Sequence, residues 1–299
     1  MLCPQLAAGR GKFLGNILSH SQTDEIFATY WNQVTPENNG KWGAVESTRG
    51  VMDWSTLDAM YRYAHGHGFP FKQHNFIWGR HQPKWMDGLS PDQQKLEVTK
   101  WISQYGRRYP DTELIDVVNE PIHSQPNYKN ALGGDGSTGW DWVISAYATT
   151  RKYCPNSKLL LNEYNILAGG ADLEHYIAII KILRQRNLID GVGVQGHGLE
   201  DVSDVTIRSS LRRLEKLGLP IYVSELDLNF TDDDAQKKRY ASVFPIFWQN
   251  SAVAGVTLWG YKQDHTWIPQ TYLLRADGSE RPALTWLKQY VSHEGRPSG

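Results

Sequence analysis

The feature that most constrains this chain is a rhythm. Eight short apolar runs, rich in β-branched residues, occur at 12–18, 31–35, 70–78, 114–119, 159–162, 191–195, 221–224 and 255–259. They recur about every 30 to 45 residues, with helical patterns between them. Continuous apolar runs predict strands buried on both faces, as in parallel sheets covered by crossover helices. Eight repeats favour a closed sheet over an open one, and 299 residues is an ordinary length for one closed barrel. The expected fold class is therefore α/β, a single (β/α)8 TIM barrel over 1–299, with loose termini over about 1–10 and 292–299.

The helices carry local signals. The stretch 54–64 opens on Ser55 as an expected cap with Asp58 three residues on. Ser90 before Pro91 reads as a cap with proline at the first helical position. Apolar spacing over 173–186 and 205–217 is helical, and Gly218 is a stop signal after the second.

A barrel of this type keeps its chemistry at the C-terminal strand ends. From the second run onward each end is polar or aromatic. The ends are Glu37, Asn38 and Lys41; His74 and Trp78; Asn119 and Glu120; then Asn162, Glu163, Tyr164 and Asn165. Gln195 and His197 follow, then Glu225 and Asp227, then Trp259, with Trp267 in the loop beyond. Glu120 and Glu225 are the candidate catalytic pair. Two carboxyls meeting across a small gap, one protonated and one ionised, are the machinery for cleaving a glycosidic bond. Pro121 pushes Glu120 toward extended backbone. Asp227 lies two residues past Glu225 and shares its side of an extended strand. His197 is expected to bridge them as a neutral ring that donates to Glu225 while Asp227 fixes its tautomer. Tyr164 and Gln195 are expected to steer or hydrogen-bond Glu225 and the region of Glu120.

Twelve tryptophans exceed what a core of this size needs, which suits a surface that binds sugar rings; Trp78, Trp259 and Trp267 are the candidates. A formal net charge of −1 argues against nucleic acid or an anionic membrane as a partner. No apolar run reaches membrane-spanning length. Cys3 and Cys154 have no metal-binding spacing and read as free thiols, and no metal or cofactor is expected. The pair His65 and His67 precedes the third strand, on the face opposite the chemistry, and reads as a solvated loop. The N-terminus lacks the pattern of a signal peptide. The expected location is extracellular, after removal of a signal, with the cytoplasm left open.

Six segments in this order, VTPEN (34–38), DVVNE (116–120), NEYN (162–165), GVQGH (193–197), SELD (224–227) and TLWG (257–260), make a specific set. On these the chain resembles the family 10 glycoside hydrolases, endo-β-1,4-xylanases, from about Gly15 to Ala283. The resemblance implies a (β/α)8 barrel and a retaining mechanism, with Glu120 as acid/base and Glu225 as nucleophile. It implies xylan and xylo-oligosaccharides as substrates, Asn119 on the sugar 2-hydroxyl, and Glu37, Asn38, Lys41 and His74 on ring hydroxyls. A monomer is expected. The sequence departs from the family beside these positions. Gly79 stands where a histidine usually follows the tryptophan, His81 stands for a glutamine, and Asn39 and Gly40 replace acidic and bulky residues. Two other readings remain at this level. One is a β-1,4-glucanase on the same barrel. The other is a metal-dependent barrel hydrolase using His74, His197, Glu120 and Glu225 as ligands, although the first strand lacks the His pair such barrels need.

Overall fold

A computed structural model describes residues 5–19 and 26–293. Eight parallel strands form one sheet: β1 (Phe13–Leu18), β2 (Val34–Pro36), β3 (Lys72–Ile77), β4 (Leu114–Asn119), β5 (Lys158–Glu163), β6 (Gly191–Gly196), β7 (Ile221–Leu226) and β8 (Val253–Leu258). The order is β2-β1-β8-β7-β6-β5-β4-β3. The sheet curls until its outer strands meet at a thin seam, where Val34 bridges to Phe71 and its N–H donates to the Pro70 carbonyl at 3.0 Å. This is the expected (β/α)8 barrel. The seam is thin because β2 has three residues and ends in Pro36, which has no N–H to give a ladder.

Helices α1 (Phe27–Tyr30), α2 (Trp42–Val45), α3 (Ser55–Gly66), α4 (Pro91–Arg108), α5 (Asp141–Tyr153), α6 (Gly170–Arg184), α7 (Asp204–Glu215), α8 (Asp233–Trp248) and α9 (Pro282–His293) surround the barrel. None of the described helices is long and apolar enough to cross a membrane. Ser90 caps α4 in a reciprocal capping box with Gln93, and Pro91 opens the helix. The Ser55 cap is a correction. Ser55 is already helical, and the Asp53 carboxylate accepts from its N–H at 3.0 Å. Asp58 instead bonds Arg108 and Tyr109. The second strand also begins later than expected, at Val34, because Trp31 terminates α1 and packs against Tyr30 and Tyr261.

The barrel lumen has two regimes. Its floor is apolar: Leu114, Leu160 and Tyr222 pack together with Phe13 and Ala254. The Phe13 ring stacks on Tyr222 at 6.0 Å and lies over Gly255, where a Cβ would meet it at 2.3 Å. Above the floor the lumen turns polar, with Lys72, His74, Asp116, Asn162 and Glu225 all buried. A second apolar layer fills the space between strands and helices, including the stacked Trp42, Trp101 and Trp54.

Cys154 is free and buried, and burial pushes its thiol up to about 12; Cys3 lies outside the described residues. Of the termini expected to be loose, residues 1–4 and 294–299 also lie outside them, while Ala7 is buried and Arg10 donates to the Ser292 carbonyl at 2.7 Å. His65 and His67 are exposed and precede β3 as expected, but the loop reading is corrected, since His65 lies in the last turn of α3 and His67 is its C-cap.

The tight floor makes a stability prediction. Gly255→Ala forces a methyl into the Phe13 ring and should cost about 1–3 kcal/mol by overpacking. In a Phe13→Leu background the same change should cost less, because the smaller side chain leaves room. Calorimetric melts that show the same loss in both backgrounds refute this account.

Candidate active site

Glu120 lies just past β4. Its φ of +53° is left-handed, where a side chain with a Cβ is strained by roughly 1–3 kcal/mol. The extended backbone expected before Pro121 is therefore corrected. Two hydrogen bonds hold the strained conformation. The Glu120 N–H donates to the Asn162 carbonyl, and its carbonyl accepts from the Ser124 N–H, both at 2.8 Å. The carboxyl Oε2 accepts from Trp78 Nε1 and from the Ser124 hydroxyl, each at 2.8 Å, and Oε1 accepts from Gln195 Nε2 at 3.4 Å.

Glu225 sits within β7, where the ladder to β6 shifts register so that Gln195 faces Glu225. Its Oε1 accepts from Asn162 Nδ2 at 2.6 Å, and its Oε2 lies 3.1 Å from His197 Nε2. His197 Nδ1 lies 2.7 Å from Asp227 Oδ1, and Trp267 Nε1 donates to Asp227 Oδ2 at 2.6 Å. The bridge expected of His197 is present, but its charge is not the expected one. A neutral imidazole donates only once, and here both ring nitrogens face carboxylates. Burial lowers the His197 pKa, but the charge of Asp227, hydrogen bonds to both acids and the charge of Glu225 outweigh it and raise the value to about 10. Burial likewise raises the Glu225 pKa, yet His74, the His197 hydrogen bond and charge, and Lys72 pull it down to about 2.

The two glutamates share a chain of amides. Asn162 Nδ2 donates to Asn119 Oδ1 at 2.8 Å as well as to Glu225, and Gln195 Nε2 donates to Asn119 Oδ1 at 3.3 Å as well as to Glu120. Ser224 fixes which way Asn162 points, since its hydroxyl donates to Asn162 Oδ1 at 2.5 Å. Gly193 makes room, because a Cβ there would meet Asn162 Oδ1 at 2.8 Å. The sequence marks Asn162 only as a strand end, with no role, and Ser224 is not among the expected site residues. Their signal was present, since each opens one of the six motifs, NEYN and SELD. Tyr164 is a partial correction. The β5 residue that bonds Glu225 is Asn162, whereas the Tyr164 ring stacks on His123 at 4.1 Å.

These groups open into one cleft of about 580 Å³ that also takes in the expected binding residues. Lys41 Nζ donates to Asn38 Oδ1 at 2.8 Å and lies 4.7 Å from the Trp78 ring centre; Glu37 lines the same wall. Burial lowers the Lys41 pKa, against the pull of Glu225, Glu37 and Glu120. His74 Nδ1 is 2.9 Å from Asp116 Oδ2, which also lies 3.2 Å from buried Lys72. Trp259 is buried edge-on against His74, whereas Trp267 is 55% exposed at the rim. Among the described residues no three His, Cys, Asp or Glu side chains converge as a metal cage.

A family model, glycosyl hydrolase family 10, matches residues 5–290. The chain belongs to that family. It is 40% identical to endo-1,4-beta-xylanase B of Cellvibrio japonicus over 92% of its length, but spans only 45% of that relative. It is 28% identical to an endo-1,4-beta-xylanase of Agaricus bisporus, over 90% of this chain and 83% of that one. Xylanase 10B of Thermotoga petrophila, solved with xylobiose, shares the fold at a TM-score of 0.84 and 22% identity, covering 97% of this chain and 96% of that one.

Three of the four positions at which the sequence departs from the family 10 pattern have local physical reasons. Gly40 packs under the cleft wall, and a Cβ there would meet the His74 carbonyl at 2.8 Å. Gly79 lets the loop after β3 touch the loop after β4, and a Cβ would meet the Gln125 carbonyl at 2.4 Å. His81 stacks flat on Trp78 at 5.1 Å; burial, then Lys41 and His74, push its pKa down to about 4, so it faces the cleft as a neutral ring. Asn39 has no structural account.

The His197 bridge sets a pH window. A raised histidine pKa gives stability that is complete below the unfolded value of 6.5 and is lost as pH rises through about 10. The lowered Glu225 pKa gives stability complete above 4.5 and lost as pH falls through about 2. In ¹⁵N-resolved NMR the His197 ring should therefore keep both protons to about pH 9. Titration near pH 6.5 would remove the imidazolium from this account.

Proposed function

We propose that the chain is an endo-1,4-β-xylanase that hydrolyses internal bonds of xylan with retention. The observation that carries this reading is the unequal treatment of two facing carboxyls. Against the effect of burial, Glu225 is held ionised by His74, by the hydrogen bond and charge of His197 and by Lys72, and the Asn162 amide donates to it. Glu120 is hydrogen-bonded by the neutral donors Trp78, Ser124 and Gln195, and a nearby cation, the largely exposed Arg80, lies 3.7 Å from Oε2 without a direct hydrogen bond. The ionised Glu225 attacks the anomeric carbon as Glu120 passes a proton to the departing glycosidic oxygen. The bond between carbon and that oxygen breaks, and a glycosyl ester forms on Glu225. Glu120, now a carboxylate, takes a proton from water, which attacks the ester and releases sugar with retained configuration.

Asn119 fits the transition state in this scheme. Its Oδ1 is taken by Asn162 and Gln195, which leaves its amide N–H groups for the sugar 2-hydroxyl. That bond strengthens as charge develops at the anomeric carbon. Lys41, Asn38, Glu37, His74 and His81 supply polar contacts to ring hydroxyls, and Trp78, Trp259 and Trp267 supply apolar faces and edges. Xylan as the substrate is supported by the names of the relatives and by the xylobiose bound to a protein of the same fold.

Glu225→Ala should abolish turnover. Glu120→Ala should keep the first step on aryl glycosides with good leaving groups, which need no protonation, and azide should rescue the second step. Equal loss on every leaving group with no rescue removes Glu120 from the acid/base role. With Glu225 ionised down to about pH 2, the acid limb of kcat/KM should lie well below pH 4.5 wherever circular dichroism still reports a folded protein. His197→Ala should lower kcat by about 10–100-fold, by analogy with lost outer partners of metal ligands, and move that limb to higher pH. Near-normal kcat with an unmoved limb would leave His197 a packing residue only.

A further inference from the structure

The contact between the loops after β3 and β4 reaches the reacting group. The Gly79 N–H donates to the Ser124 carbonyl at 2.9 Å, and the missing Cβ lets Ser124 and Gln125 lie against it. Arg80, on the same loop, donates from Nε to the Ser124 hydroxyl oxygen at 3.1 Å. Arginine only donates. The Ser124 oxygen therefore accepts from Arg80, and its proton is directed to Glu120 Oε2 at 2.8 Å. Arg80 Nε itself lies 3.7 Å from that oxygen.

Oxygen Oε2 thus has both lone pairs engaged, one by Trp78 and one by Ser124, beside a guanidinium. A proton placed there would displace a hydrogen bond and face a cation. Oxygen Oε1 has one long bond, from Gln195 at 3.4 Å, and keeps a free lone pair. We infer that Ser124, oriented by Arg80 and admitted by Gly79, is a positioning residue that reserves Oε1 of Glu120 as the oxygen exchanging the proton with the leaving group. The inference rests on the acid/base reading of Glu120. As Oε1 gives up its proton, negative charge spreads to Oε2, and the Ser124 bond strengthens. Ser124 therefore helps most where the leaving group needs protonation.

The test compares xylohexaose, whose leaving group is a sugar hydroxyl, with a dinitrophenyl β-xylobioside, whose leaving group departs unprotonated. Ser124→Ala should lower kcat/KM about 10–150-fold on xylohexaose, the range for a lost hydrogen bond to a charged group. The loss on the aryl substrate should be less than about threefold, since that step needs no proton. Ser124→Thr keeps the hydroxyl and should restore most of the xylohexaose rate. Gly79→Ala, which pushes the 124–125 carbonyls away, should reproduce the selective loss by another route. Equal losses on both substrates, or no loss, overturn the inference, and so does a Ser124→Thr protein as impaired as Ser124→Ala. Glu120→Ala is the control. If it too fails to discriminate between the substrates, the acid/base reading falls; if it discriminates and Ser124→Ala does not, only the role of Ser124 falls.

Discussion

The arrangement at the barrel mouth depends on one ion pair. His197 stands between Glu225 and Asp227 with a ring nitrogen toward each, and against the effect of burial the two acids raise its pKa to about 10. A buried carboxylate without such a partner would take up a proton, because removing its charge from water is costly. His74, the hydrogen bond and charge of His197, and Lys72 together keep Glu225 ionised inside the barrel. Trp267 and Asn162 complete the hydrogen bonding of the two acids from opposite sides.

That pair needs a barrel lumen that changes character along its axis. At the floor, Phe13, Tyr222, Leu114 and Leu160 fill the space and exclude water. One layer higher, Lys72, Asp116 and His74 place buried charge beneath Glu225. Glycines at 193 and 255 decide how closely these layers approach, since side chains there would collide with Asn162 and Phe13. The strand ladders shift register at β4, β6 and β7, and these irregularities re-aim side chains at the mouth.

Two of the departures, Gly79 and His81, lie around one carboxyl. At Gly79 no side chain separates the β3 loop from the β4 loop, whose Ser124 meets Glu120. His81 lies on Trp78, the ring whose N–H also holds Glu120. Changes far apart in character thus converge on one carboxyl through the loops that carry them.

The sequence by itself determined the barrel, and it placed the two glutamates at C-terminal strand ends that the structure brings into one cleft. These follow from signals that are local: strand runs that repeat, polar strand ends, and six short motifs in order. Boundaries shifted where neighbours intervened, as at Trp31, which closes a helix instead of opening a strand. Tertiary structure alone decided the charge of His197, because two acids at the end of β7 must meet a ring at the end of β6. It alone decided the left-handed backbone of Glu120, which bonds to Asn162 and Ser124 hold against the preference of the local sequence. It also decided the role of Asn162, whose amide matters only once β5 lies between Asn119 and Glu225. Protonation and hydrogen-bond direction depend on what surrounds a group in space, and linear spacing does not carry that information.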